Sequence, residues 1–133
     1  MKYFTLKELC KSSTADKLGI NNQCALEQAR RLAALVNNVL DPLREAWGKP
    51  VCINSGYRCP ELNKRVGGAA NSQHVEGEAA DITAGSKEEN KKLFDLALSL
   101  NLPFDQLIDE KGFSWVHISH RKDDNRKQVL HLK

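Results

Sequence analysis

From about Cys24 to Trp47 apolar residues return at helical spacing, with Leu32, Val36, Val39 and Leu43 along one side, joined by Leu35 and Leu40. This stripe predicts the main core helix. Pro42 lies inside it, which predicts a bend or restart there, with Asp41 capping the second piece. A second stripe, Leu93, Phe94, Ala97 and Leu100, runs through "KEENKKLFDLALSL", opened by the capping-box pair Ser86 and Glu89. Thr5 with Glu8 gives the same signal for a short first helix, expected to pack as an N-terminal flap, and the polar "SSTADKLGINNQ" follows as a connection. Val51 to Asn54 reads as a short strand leaving into a loop at Ser55 and Gly56, and "CPELNKRVGG" as a short helix between Pro60 and Gly67–Gly68. In "FDQLIDEKGFSWVHIS" two alternating runs flank Lys111–Gly112, which predicts an antiparallel hairpin with Trp115, His117 and Ser119 on one face. The tail "HRKDDNRKQVLHLK" is polar at first and reads as a last edge strand or a frayed end. The layout predicted is α+β, helices on a small, mainly antiparallel sheet.

Length and composition narrow this picture. At 133 residues and 14.9 kDa, the chain suits one compact domain over 1–133, with a core at about 24–119 and a tail at 120–133. Its 41% hydrophobic and 28% charged residues are too balanced for a disordered chain. The net charge of +3 comes without a concentrated Lys/Arg stripe, which argues against nucleic acid as a partner. No apolar run is long enough to cross a bilayer, and charges interrupt the only apolar run in "MKYFTLKELCKSS". The expectation is cytoplasmic synthesis without an export signal, so that any work outside needs another route. Cys10, Cys24, Cys52 and Cys59 form no C-x-x-C pair and are read as reduced, mostly part-buried thiols rather than zinc ligands.

Chemistry concentrates in "NSQHVEGEAAD", residues 71 to 81. His74 and Asp81 are seven apart, and a turn at Gly77 leading into "AADI" would return both side chains to one point, with Ala79 and Ala80 small enough to let the backbone pass close by. An imidazole and a carboxylate suit zinc, whose catalytic sites take three protein ligands and keep a fourth position open. His117 is the candidate third ligand. By spacing alone, packed and hydrogen-bonded structural histidines are the commoner reading.

"SGYRCPELNKRVGGAANSQHVEGEAADI", residues 55 to 82, together with "WVHIS", residues 115 to 119, resembles the M15 family of zinc D-Ala-D-Ala carboxypeptidases and peptidoglycan endopeptidases, especially its small phage-associated branch. The family pattern S-x-H-x-x-G-x-A-x-D with a later histidine is matched by Ser72, His74, Gly77, Ala79, Asp81 and His117. The resemblance implies a hedgehog-like α+β fold and one Zn2+ held by His74, Asp81 and His117. It also implies a departure, because many members carry an acid three residues before the last ligand, where this chain has Ser114. In the phage-associated branch the acid instead ends the preceding strand, which matches Glu110. Hairpin geometry supports that choice, placing Glu110 near His117 and Asp109 on the opposite side. Arg58 matches the arginine of "SGYR", which the family associates with a substrate carboxylate or developing oxyanion, and a planar guanidinium suits that task better than lysine. Ser72 matches a position near substrate. Tyr57, Gln73, Gln106 and Trp115 are candidates to line the cleft, with core or supporting roles as the alternative, while His120 and His131 belong to no motif and read as surface residues.

The function this implies is hydrolysis of peptide bonds in peptidoglycan stem peptides by a monomeric zinc metallopeptidase, either as a carboxypeptidase on D-Ala-D-Ala or as an endopeptidase of the L-Ala-D-Glu type. A phage or prophage endolysin released to the cell wall through a holin fits, and so does a cytoplasmic enzyme acting on soluble muropeptides. A different class is a zinc-stabilised binding or virion structural module that keeps the fold without catalysis. Ser114 keeps that alternative open, whereas Glu110 and Arg58 argue against it. Nucleic-acid binding ranks third.

Overall fold

The computed structural model describes residues 1–133. Two short helices come first: α1 (Leu6–Cys10), whose N-terminal amide at Glu8 donates to the Thr5 hydroxyl, and α2 (Ser13–Leu18), capped likewise by Ser12 and closed by Gly19 in the left-handed region. Helix α2 falls in the stretch expected to be a polar connection. It buries only Ala15, so no apolar stripe announces it. Phe4 and Leu9 reach the central core, which anchors the N-terminal segment to the main body.

The long helical run is α3 (Leu26–Leu35), a widened π-turn (Val36–Leu40) and α4 (Asp41–Trp47). Leu32, Leu35, Val36, Val39, Leu40 and Leu43 are all buried, as the periodicity predicts. Each fully buried leucine contributes on the order of 1.5–3 kcal/mol of transfer free energy. The restart at Pro42 takes another form from the one expected. Asp41 is itself helical, and its amide reaches back five residues to the Val36 carbonyl. Proline has no N–H to give and its ring crowds the carbonyl four residues earlier, so the wider turn accommodates it. Asp41 caps nothing in its own helix; its carboxylate instead accepts the Lys2 and Tyr3 amides at 2.6 and 3.0 Å.

The sheet comprises β1 (Cys52–Ser55), β2 (Ala79–Thr83), β3 (Gln106–Glu110), β4 (Trp115–Ser119) and β5 (Gln128–Leu132), in the order β1-β2-β4-β3-β5. Three pairings are antiparallel, and β5 runs parallel to β3 along the edge. Between β1 and β2 lie α5 (Pro60–Arg65) and the single turn α6 (Gln73–Glu76), and α7 (Lys87–Ser99) follows β2. Alternation along the strands sends Ala80, Ile82, Leu107, Val116 and Ile118 into the core with the long helices. Leu93, Phe94 and Ala97 of α7 join them, while Leu100 sits at the helix end 37% exposed and Leu102 and Phe104 are buried in its place. The opposite faces of β2, β3 and β4 carry Asp81, Glu110 and His117. No helix is long and apolar enough to cross a membrane.

Candidate metal centre

Strand register creates the first contact of the site. Asp81 on β2 lies directly opposite His117 on β4, a cross-strand pair whose side chains stand together on one face. Beside them β1 slips register between Ile53 and Ser55, and this irregularity sets Ser55 opposite Asp81. His74 arrives from α6 rather than from a loop end. Ser72 caps that turn through its hydroxyl, which accepts the His74 amide at 3.1 Å, and Gly77 closes it at φ +77°. Gly77 also packs on α3, where a Cβ would stand 2.8 Å from the Gln28 carbonyl oxygen. Conformation and space both call for glycine there.

The three side chains converge. His74 Nε2 lies 3.4 Å and His117 Nδ1 2.9 Å from Asp81 Oδ1, with 4%, 7% and 9% of His74, Asp81 and His117 exposed. His74 Nδ1 is 2.7 Å from the Gly56 carbonyl, which can only accept, so Nδ1 carries a proton and Nε2 is left facing Asp81. Burial alone would raise the Asp81 carboxyl, but the His117 and His74 hydrogen bonds and charges outweigh it and hold the carboxyl well below its ordinary range. The result is an ionised carboxylate between two imidazoles.

These donors suit a metal ion. Ligands about 2.0–2.1 Å from a tetrahedral zinc stand roughly 3.3 Å apart, close to the His74–Asp81 separation, and one donor atom from each of the three residues lies within 4.8 Å of the others. Two nitrogens and one oxygen with a cleft on the fourth side match the open, catalytic arrangement rather than a closed structural one. The cleft has a volume of about 480 Å³.

Its walls hold most of the residues singled out above. Arg58 sits against the centre, its Nε donating to Ser55 Oγ at 3.0 Å, its Nη1 to Asn63 Oδ1 at 3.3 Å and its Nη2 to Asp81 Oδ2 at 3.3 Å. Three separate anchors fix the plane of the guanidinium. Ser72, Gln73, Gln106 and Trp115 line the cleft, as does Glu110. Glu110 faces Trp115 across the hairpin, however, and His117 faces Ile108. The indole N–H of Trp115 donates to Glu110 Oε2 at 3.1 Å. Ser114 turns into the hairpin, its hydroxyl bonded to the Lys111 carbonyl, and Asp109 points to the helix-covered face.

Tyr57 is the exception among the candidates. It is buried in the hydrophobic core and does not line the cleft, because its amide bonds to the Leu9 carbonyl and ties it to α1. His120 is half-buried and lies outside the cleft, and His131 is exposed against Asp109. Several contributors escape sequence reasoning. Asn63 holds Arg58 while its amide donates to the Ala69 carbonyl at 2.8 Å, and Arg126 and Leu132 bring the C-terminal tail into the cleft wall. Arg126 is fixed by the buried Asp105, with Nε and Nη2 donating at 3.0 and 2.8 Å.

A family model described as Peptidase M15 matches residues 2–119. A zinc D-Ala-D-Ala carboxypeptidase from Streptomyces albus G is 39% identical over 85 residues, which make up 63% of this chain. Those residues are 32% of the relative, so the chain spans about a third of its length.

Proposed function

The chain belongs to the peptidase M15 family, and from that premise we propose that it is a zinc-dependent peptidase that hydrolyses peptide bonds in bacterial peptidoglycan stem peptides. The observation that carries this reading is the convergence of His74, Asp81 and His117, drawn from three separate elements, on the floor of an open cleft. These three residues would hold one zinc ion, and the relative named above is a zinc D-Ala-D-Ala carboxypeptidase. When bound, zinc supplies Lewis-acid polarisation of a carbonyl and acidifies water at neutral pH.

The chain's own groups do the rest. Glu110 takes the proton of the attacking water and delivers it to the leaving amine, a role usually worth about 10²–10⁴ in rate. Trp115 holds one of its oxygens and leaves the other to the cleft. Arg58, already oriented by Ser55, Asn63 and Asp81, turns its remaining N–H groups toward a substrate carboxylate or the carbonyl oxygen as charge develops there. Ser72, Gln73 and Gln106 offer hydrogen bonds along the wall. Glu110 and Arg58 together favour catalysis over a purely structural metal module. A lysis role in a phage or prophage, with release to the wall through a holin, is supported by the resemblance of residues 55 to 82 and 115 to 119.

Incubation of the purified protein with muropeptides, with and without chelator, tests the reading. Mass analysis should find chelator-sensitive cleavage restored by zinc. Free D-Ala marks a carboxypeptidase, new internal termini mark an endopeptidase, and no product at any zinc level would sink the peptidase reading.

A further inference from the structure

Away from the cleft, the Cys10 and Cys24 sulfurs lie 3.5 Å apart, at the end of α1 and in the segment leading to α3. They face a groove of about 570 Å³ that Lys7, Lys11 and Ile20 also line. Around the pair, Asn22 binds three strands of chain together. Its Nδ2 donates to the Cys10 and Tyr57 carbonyls at 2.8 and 3.0 Å, and its Oδ1 accepts the Cys59 amide at 2.7 Å. The Tyr57 amide donates to the Leu9 carbonyl at 2.8 Å, and Gly56 approaches that carbonyl so closely that a Cβ would overlap it. The same segment supplies the Gly56 carbonyl to His74 Nδ1, and the Arg58 amide donates to the His74 carbonyl at 3.1 Å. The two sulfurs thus sit behind the loop that orients a metal ligand. Between them in sequence, α2 is held by little more than buried Ala15.

We propose that Cys10 and Cys24 form a thiol–disulfide couple, oxidised by a low-molecular-weight disulfide entering the groove, and that the bond braces the N-terminal segment against the loop that orients His74. To bond, the sulfurs must approach from 3.5 Å to about 2.05 Å. Burial and the neighbouring Cys24 push the Cys10 thiol up to about 12; Cys24, which stands in the segment outside any helix, attacks first. Its thiolate, having lost a proton to solvent, displaces one thiolate from glutathione disulfide and forms a mixed disulfide. Cys10 then loses its proton, attacks the Cys24 sulfur and releases the second glutathione. Two protein thiols are oxidised by two electrons, and one glutathione disulfide becomes two glutathione thiols. Lys7 and Lys11 at the groove suit an oxidant that carries carboxylates.

The test needs no substrate. Reduced protein is treated with glutathione disulfide, digested without reductant and mapped by mass. The expected product is one Cys10–Cys24 linked peptide pair, with an unfolding midpoint at least about 5 °C above that of the reduced protein, because a closed loop restricts the unfolded chain. Dithiothreitol should reverse both changes. Cys24→Ser should neither cross-link nor gain stability, and Cys59→Ser should do both. Three results would overturn the proposal: exposed Cys52 taking up glutathione while no link forms, a link from Cys10 or Cys24 to Cys59 instead, or a Cys10–Cys24 link that leaves the midpoint unmoved.

Discussion

Asp81 and Asp109 are both buried, both lie in the central strands, and each has a histidine nitrogen against its carboxylate, yet they sit on opposite faces of the sheet. Asp81 meets His117 across a strand pair, His74 from a separate helical turn and Arg58 from a loop, and all four border the cleft. Asp109 meets only His131, its register partner on parallel β5, with the His131 ring tilted over Phe94 at 5.6 Å between centroids. One carboxylate therefore gathers donors from several elements at an opening, while the other closes a single contact along the edge. The contrast separates a site from a satisfied buried acid. A histidine beside an aspartate signifies little until further donors, placed by unrelated parts of the chain, point at the same spot.

The largest effect that could break this contrast is on metal affinity. Asp81→Ala should lower zinc affinity at least about 100-fold and abolish hydrolysis, since it removes a ligand rather than a supporting group. Asp109→Asn should leave zinc content unchanged and instead lower stability by about 1–3 kcal/mol. Equal metal loss in both variants, read by metal analysis of purified protein, would erase the distinction. Next in size, Glu110→Gln should reduce turnover about 100-fold or more with zinc retained. Near-normal turnover in that variant would move the base elsewhere.

The smallest effect concerns a third buried acid, Asp105, which binds Arg126. Burial alone would raise the Asp105 carboxyl, but hydrogen bonds and charge from Arg126, helped by Arg121, hold it below its usual value. An acid depressed in the folded state contributes stability above its unfolded pKa, near about 4, and loses it as pH falls through the folded value. The gap in unfolding midpoint between wild type and Asp105→Asn should thus be widest near about pH 6 and shrink toward about pH 2.5. A gap that does not change over that range would show that the pair adds no pH-dependent stability.

The parts of this structure legible in the sequence are those written in a repeating period or at a short spacing. The helical stripe from Leu32 to Leu43 is buried at every predicted position, and alternation in "WVHIS" brings His117 to the same face as Asp81. Features that depend on one distant contact leave no such mark. Helix α2 has a cap and a closing glycine but almost nothing to bury, so its composition reads as a linker. Tyr57 stands beside Arg58 in sequence, yet the bond to Leu9 turns it inward. Arg126 and Leu132 enter the cleft only because the chain folds back there, and Asn63 matters only through its bond to Arg58; no local pattern encodes either.

The widened turn at Val36–Leu40 works as a phase shifter. A single extra residue in a helical turn rotates everything after it by about 100° around the axis. Leu43 remains in the core after that rotation, while Asp41 comes round to the start of the chain and takes hold of the Lys2 and Tyr3 amides. Trimming one residue from the turn would swing Asp41 off that target and unmoor the segment that carries Phe4 and Leu9. Because the Leu9 carbonyl holds the Tyr57 amide, the slack would travel on to Gly56 and Arg58. An irregularity on the far side of the core is, in mechanical terms, the outer anchor of the cleft.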